Sequence, residues 1–223
     1  MNLSQVMSEL EAYGSEQHRK TFRRHGAQDP LFGVTFGNLT KLKKTIKCNH
    51  ALAEELFATG NTDAQTLATM VADPQAMTKS DIERWLSKMN YYTLIDVFMS
   101  NVVIKSAYAE ELANQWILST DEWIGRAGWQ LVALLALHHK QLSDEPFVRY
   151  AQLVKDEVHQ RPNRTREAMN GALIAIGIRN EQLETLIREL VPLIGPIHVD
   201  HGETNCKTPD PIPYIEKAKA RKK

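Results

Sequence analysis

Apolar positions recur along most of the chain at intervals of three and four, with no run of strict alternation, so the pattern predicts helix after helix and no strand. The spacing predicts helices over 2–13, 16–25, 39–47, 50–59, 62–72, 79–88, 91–103, 106–118, 119–139, 145–158, 164–178 and 182–193. Their joints are short, and helix pairs return at roughly 40 residues, the period of HEAT-type repeats. The expected fold class is all-α: a superhelix of HEAT/ARM-like α-α repeats over residues 1–195, read as a single curved solenoid domain. After Gly195 the periodicity gives way to PIHVDHGETNCKTPDPIP. Residues 196–223 are therefore expected to be a loop and a basic tail packed on the same domain.

The stretch STDEWIGRAGWQLVALLALHH, residues 119–139, reads as the innermost helix. Ser119 and Glu122 stand at capping-box spacing. From Trp123 to Leu137 nearly every position is apolar or small, except Arg126. A guanidinium this close to a buried surface requires a paired acid or a polar groove, and both alternatives are open at this point. Gly125 and Gly128 flank it, and glycine inside a helix marks the close approach of another backbone or of a ligand.

Composition adds an ordinary globular character: 223 residues, 43% hydrophobic and 24% charged. Without a Pro/Gly/Ser-rich linker, it favours one domain. No apolar run approaches the roughly 18 residues of a membrane span, and the N-terminus is amphipathic, so a soluble, cytoplasmic, unprocessed monomer is expected. The only two cysteines, Cys48 and Cys206, make no disulfide framework. Lys and Arg together number 27, as do Asp and Glu, so net charge does not advertise a polyanionic partner. The distribution is uneven. Arg19, Lys20, Arg23, Arg24, Lys41, Lys43, Lys44 and Lys47 face a single acid, Asp29, and Lys217, Lys219, Arg221, Lys222 and Lys223 make the tail basic. Such segregation suits either a phosphate-binding face or a solvated charged one.

GSEQHRKTFRRHG, LFGVTFGNLTKLKKTIK, NYYTLID, EWIGRAGWQL, NRTREAMNGALIAIG and VDHGETNCKTPDPIPYIEK together resemble the HEAT-repeat DNA alkylation repair family, the AlkD-like DNA glycosylases. The likeness runs from about Gly14 to Lys217, and the Cys-containing tail is similar to a divergent branch of the family. It implies a concave basic groove that binds duplex DNA, and metal-independent hydrolysis of the N-glycosidic bond of cationic N3- or N7-alkylated purines. An alkylated purine already carries positive charge and leaves readily. What the protein must supply is a fixed carboxylate for an oxocarbenium-like transition state and an aromatic face for the cation.

By resemblance, the catalytic positions fall on Tyr92, Asp96 and Arg126. Asp96 stabilises the oxocarbenium and orients water, Tyr92 offers its ring, and Arg126, three residues after Trp123, holds a phosphate and supports the ionised Asp96. Tyr92 stands where the family pattern has tryptophan, and the helix around Gly171 and Ala172 lacks the second expected aromatic. Trp85 and Trp129 are expected in the core. For DNA contact the basic run points to Lys41, Lys43 and Lys44, and the helix opened at Asn163 points to Arg164 and Arg166, since a helix N-terminus favours phosphate. His198, His201 and Cys206 have a zinc-like flavour without a second cysteine, so no metal and no cofactor is expected and the loop is expected to fold back on the helices. Two other functions stay open: a catalytically weak or inactive DNA-structure binder on this scaffold, and a protein-interaction HEAT solenoid.

Overall fold

The computed structural model describes residues 1–221, among which there are helices and no strand; Lys222 and Lys223 of the basic tail lie outside the described residues. The helices are α1 (Leu3–Tyr13), α2 (Glu16–Arg24), α3 (Phe36–Ile46), α4 (His50–Ala58), α5 (Thr62–Val71), α6 (Lys79–Leu86), α7 (Tyr92–Asn101), α8 (Ala109–Trp116), α9 (Glu122–His138), α10 (Glu145–Glu157), α11 (Asn163–Arg179), α12 (Glu181–Ile194) and α13 (Pro211–Ala220). No described helix is long and apolar enough to cross a membrane. Two compact units divide the chain: residues 1–108 with 202–204, and 109–201 with 205–223.

Most boundaries follow local chemistry. α3 begins three residues before its predicted start because the Thr35 side chain caps it at the Asn38 N–H. α9 is capped by Asp121, which accepts from Trp123 and Ile124, and not by Ser119. α13 was hidden in the proline-rich tail. Asp210 caps it and Pro211 sits in its first turn, where the missing N–H breaks no helical bond.

In the N-terminal unit, α5 packs against α3, α4 and α7. The rings of Phe57 and Trp85 stack at 4.0 Å, and Phe98 follows at 5.6 Å from Trp85. α5 itself is buried although it carries Thr62, Asp63, Gln65, Thr66 and Thr69. Thr66 donates to the Thr62 carbonyl, Thr69 to Thr66, and Gln65 to Phe57. Local bonding of this kind lets a polar sequence serve as a core helix.

In the C-terminal unit, α9 and α11 form the most extensive helix pair, with α8 on one side and α12 and α13 on the other. Trp129, like Trp85 in the first unit, is fully buried. The two glycines of α9 mark close approach by protein. A Cβ on Gly125 would lie 2.9 Å from the Thr165 hydroxyl of α11, and one on Gly128 would lie 2.6 Å from the Ile117 N atom. Gly171, in the middle of α11, has nothing within 4 Å of such a Cβ. The three glycines therefore separate packing from propensity. Gly128→Ala should destabilise by about 2 kcal/mol, because overpacking against backbone outweighs the helix gain. Gly171→Ala should stabilise by roughly 0.5–1 kcal/mol. Denaturant midpoints moving the same way for both would contradict this.

Candidate nucleic-acid interface

The basic surface of the N-terminal unit is built on a buried acid. Asp63, 3% exposed, accepts from the N–H groups of Phe32, Gly33 and Val34 at 2.7, 3.0 and 2.9 Å. Burial, the largest influence, pushes its carboxyl above the ordinary aspartate range despite those donors. The carboxylate pins the loop that ends at Thr35 and thereby sets where α3 starts. Sequence reading missed Asp63, whose only local signal is an acid just inside a capped helix.

α3 buries Leu39 and Leu42 and turns its cations outward. Lys41 donates to Asn38 and lies 5.9 Å over the Tyr13 ring. Lys44 and Lys47 are exposed and Lys43 is half-buried. None of these three makes an ion pair or hydrogen bond through its side chain among the described residues. Two of the three arginines of α2 differ: Arg19 pairs with Glu16, and Arg23 with Asp29.

Tyr92 and Asp96 occupy α7 one turn apart, both half-buried. The Tyr92 hydroxyl lies 2.8 Å from His25 Nδ1, at the end of α2, and its ring meets Tyr91 edge-on at 5.4 Å. His25 stands in the GSEQHRKTFRRHG motif, where no role beside Tyr92 had been read for it. It fixes the phenol, so the ring offered at this position is already oriented.

Arg126 belongs to the C-terminal unit and is 5% exposed. Its Nη1 donates to Glu167 at 2.7 Å and to the Arg164 carbonyl at 3.2 Å. Arg164 donates to the same Glu167 oxygen at 3.0 Å, and His201 Nδ1 stands 3.7 Å from the other. Burial pushes the Glu167 carboxyl up, but Arg126 and Arg164 outweigh it and hold the group below the ordinary glutamate range. The paired-acid alternative for Arg126 is therefore realised, by a residue 41 positions away.

Arg164 and Arg166 are likewise engaged. Arg166 donates to the carbonyls of His198 and Arg161. The first turn of α11 is closed by Glu122, whose carboxylate accepts the Arg164 N–H at 2.7 Å, so an acid takes the place expected for phosphate. The Asn163 side chain exchanges two hydrogen bonds with the Asp200 backbone, so the tail does fold back onto α11. Among the described residues no three His, Cys, Asp or Glu side chains converge as metal ligands. Arg179 was also missed by sequence reading. Its buried guanidinium pairs with Asp144, lies 4.4 Å over the Phe147 ring, and donates to the carbonyls of Ala136, His139, Lys140 and Leu142. It closes the C-terminal end of α9.

Comparison with known proteins adds lineage to this geometry. The sequence profile of the family described as DNA alkylation repair enzyme matches residues 6–186. Uncharacterized proteins of Listeria innocua serovar 6a and Listeria monocytogenes serovar 1/2a are each 31% identical to this chain, over 226 and 228 residues. The first match covers 99% of both chains and the second 100% of both. A solved structure covers all of this chain and 95% of its own, with 35% identity and a TM-score of 0.91. It is described as a new family of proteins related to the HEAT-like repeat DNA glycosylases with affinity for branched DNA structures. That likeness identifies the all-helical architecture as a HEAT-like repeat fold.

Proposed function

The chain belongs to the DNA alkylation repair enzyme family, and we propose that it binds DNA through the basic surface of α3, with branched DNA as its preferred ligand. The observation that carries this reading is the set of unpaired lysines on that helix, Lys43, Lys44 and Lys47. The affinity described for the structural neighbour supports the branched preference. Phosphate contacts supply charge without sequence information, which suits a ligand recognised by its shape. Lys41 extends the same surface, while Arg166 acts by holding the backbone at His198 and Arg164 by joining Arg126 on Glu167, so both contribute less directly.

A second reading has a specific observation behind it. Tyr92 and Asp96 share one face of α7, an arrangement that would set an oriented ring and a carboxylate beside an alkylated purine nucleotide. On this reading Asp96 stabilises the oxocarbenium ion and places water, beside the ring of Tyr92. The tyrosine in place of tryptophan, and the absence of an aromatic at Gly171 and Ala172, make the clamp on a cationic base weaker. This favours binding over excision.

Both readings are tested with one set of DNAs. Fluorescence anisotropy should show tighter binding to a four-way junction than to a linear duplex of equal length. The triple variant Lys43→Gln, Lys44→Gln, Lys47→Gln should lower the salt slope of log affinity by roughly 2.7, about 0.9 for each phosphate no longer neutralised. Equal affinity for both DNAs, or an unchanged slope, would count against the binding reading. Release of 7-methylguanine or 3-methyladenine from alkylated duplex, lost on Asp96→Asn, would establish excision. No release by the wild type would retire it. No DNA binding at all would leave the protein-interaction alternative.

A further inference from the structure

We propose that Phe36 is a stacking platform for an unpaired nucleobase at a DNA branch point, with Lys43 and Lys47 holding phosphates of the same strand. This deepens the DNA-binding reading and rests on it.

Phe36 opens α3 and is 45% exposed. A single exposed phenylalanine is unremarkable by itself. Three observations set this one apart. First, its backbone is held: Thr35 caps the helix, and the three preceding amides of Phe32, Gly33 and Val34 end on buried Asp63. A ring on so fixed a base loses little freedom when a ligand covers it.

Second, the helix places cations beside the ring. At 100° per residue, positions 36, 40 and 43 fall on one flank, so Phe36, Thr40 and Lys43 form a stripe with Lys44 at its edge, and Lys47 stands at the C-cap just past them. At 1.5 Å per residue, Lys43 and Lys47 lie about 10 Å and about 16 Å along the axis from Phe36. At 3.4 Å per nucleotide of a stacked strand, these are steps of about three and five nucleotides. An aromatic followed by cations at that interval matches the two needs of a single strand, a face for the base and charge for the backbone. The stripe carries no acid, so a polyanion fits it by charge.

Third, Lys47 ends α3 at φ 63°, ψ −148°, the only positive-φ residue other than glycine among the described residues. Glycine would relieve that backbone, and a lysine standing there points to a use for its side chain. An unpaired base also separates the ligand types. A paired duplex presents no free base face to the ring, whereas a branch point with unpaired nucleotides does.

The experiment uses the full chain, a three-way junction with two unpaired nucleotides at the branch, and a linear duplex of the same length. One unpaired nucleotide is 2-aminopurine. Phe36→Ala should weaken binding to the junction about tenfold and change duplex binding less than twofold. Phe36→Trp should restore junction affinity. Wild type and Phe36→Trp should both quench 2-aminopurine on binding, while Phe36→Ala should not. Circular dichroism confirms folding, which an exposed site leaves intact. Junction binding or quenching indifferent to Phe36→Ala would overturn the stacking proposal and leave the binding reading standing. Wild-type failure to bind either DNA would overturn both.

Discussion

Replacing Asp63 with alanine should destabilise the N-terminal unit by about 3–5 kcal/mol, because three amides at Phe32, Gly33 and Val34 lose their common acceptor at once. Each orphaned donor costs about 1–3 kcal/mol when buried, and partial hydration of the released loop offsets some of the sum. Native-state hydrogen exchange locates the effect: protection of those three amides should disappear while that of α9 and α11 is kept. Asp63→Asn should lie between wild type and alanine, since an amide retains one accepting oxygen. The pH dependence has a defined sign. Because burial raises the Asp63 carboxyl in the folded state, the folded protein takes up this proton before the unfolded one. The margin of wild type over Asp63→Asn therefore widens as pH falls through the raised value. Unchanged amide protection in Asp63→Ala would show that the loop is held by something else.

The second large effect is expected at the opposite kind of acid. Arg126→Ala should cost the C-terminal unit about 3–5 kcal/mol, since it strips a buried pair of one member. Replacing both partners, Arg126→Met with Glu167→Met, should recover part of that loss, because the two apolar side chains remove the buried pair while Arg164 loses its Glu167 acceptor. Here the carboxyl is held low by Arg126 and Arg164 in spite of burial, so its stabilisation is present above the ordinary glutamate range and disappears as pH falls through the depressed value. The margin of wild type over Glu167→Gln therefore narrows in acid, opposite to Asp63. The double variant also separates structure from function. If it folds and still binds DNA, Arg126 serves packing; if it folds and loses binding, the guanidinium contributes to the interface. A double variant no more stable than Arg126→Ala would contradict the pairing argument.

What could be read from the sequence was what depends on near neighbours. Periodicity located twelve of the helices, and Trp85 and Trp129 are core as expected. Gly125 and Gly128 announced a close approach that Thr165, Trp116 and Ile117 supply. Family motifs led to Tyr92, Asp96 and Arg126, while the long-range chemistry stayed silent. Nothing near Arg126 indicates Glu167, and nothing near Arg179 indicates four carbonyls at the end of another helix. α5 carries many polar residues, and its threonines bond within its own turns, so periodicity could not reveal how deeply it is buried. Arg164 and Arg166 read as phosphate contacts because a helix start and two cations coincide there. The acid that fills that start, Glu122, comes from 42 residues earlier.

α13 lays Ile215 against Gly177 of α11, in a notch that a Cβ at that glycine would occupy. Lys219 and Glu184 pair there as well, tying α13 to α12. Ile215 follows Gly177 by 38 residues, so α11 is synthesised before the residue that fills its notch has been added. The C-terminal unit therefore waits, with an apolar gap on α11, until α13 has emerged, and its closure trails the synthesis of its own central helices.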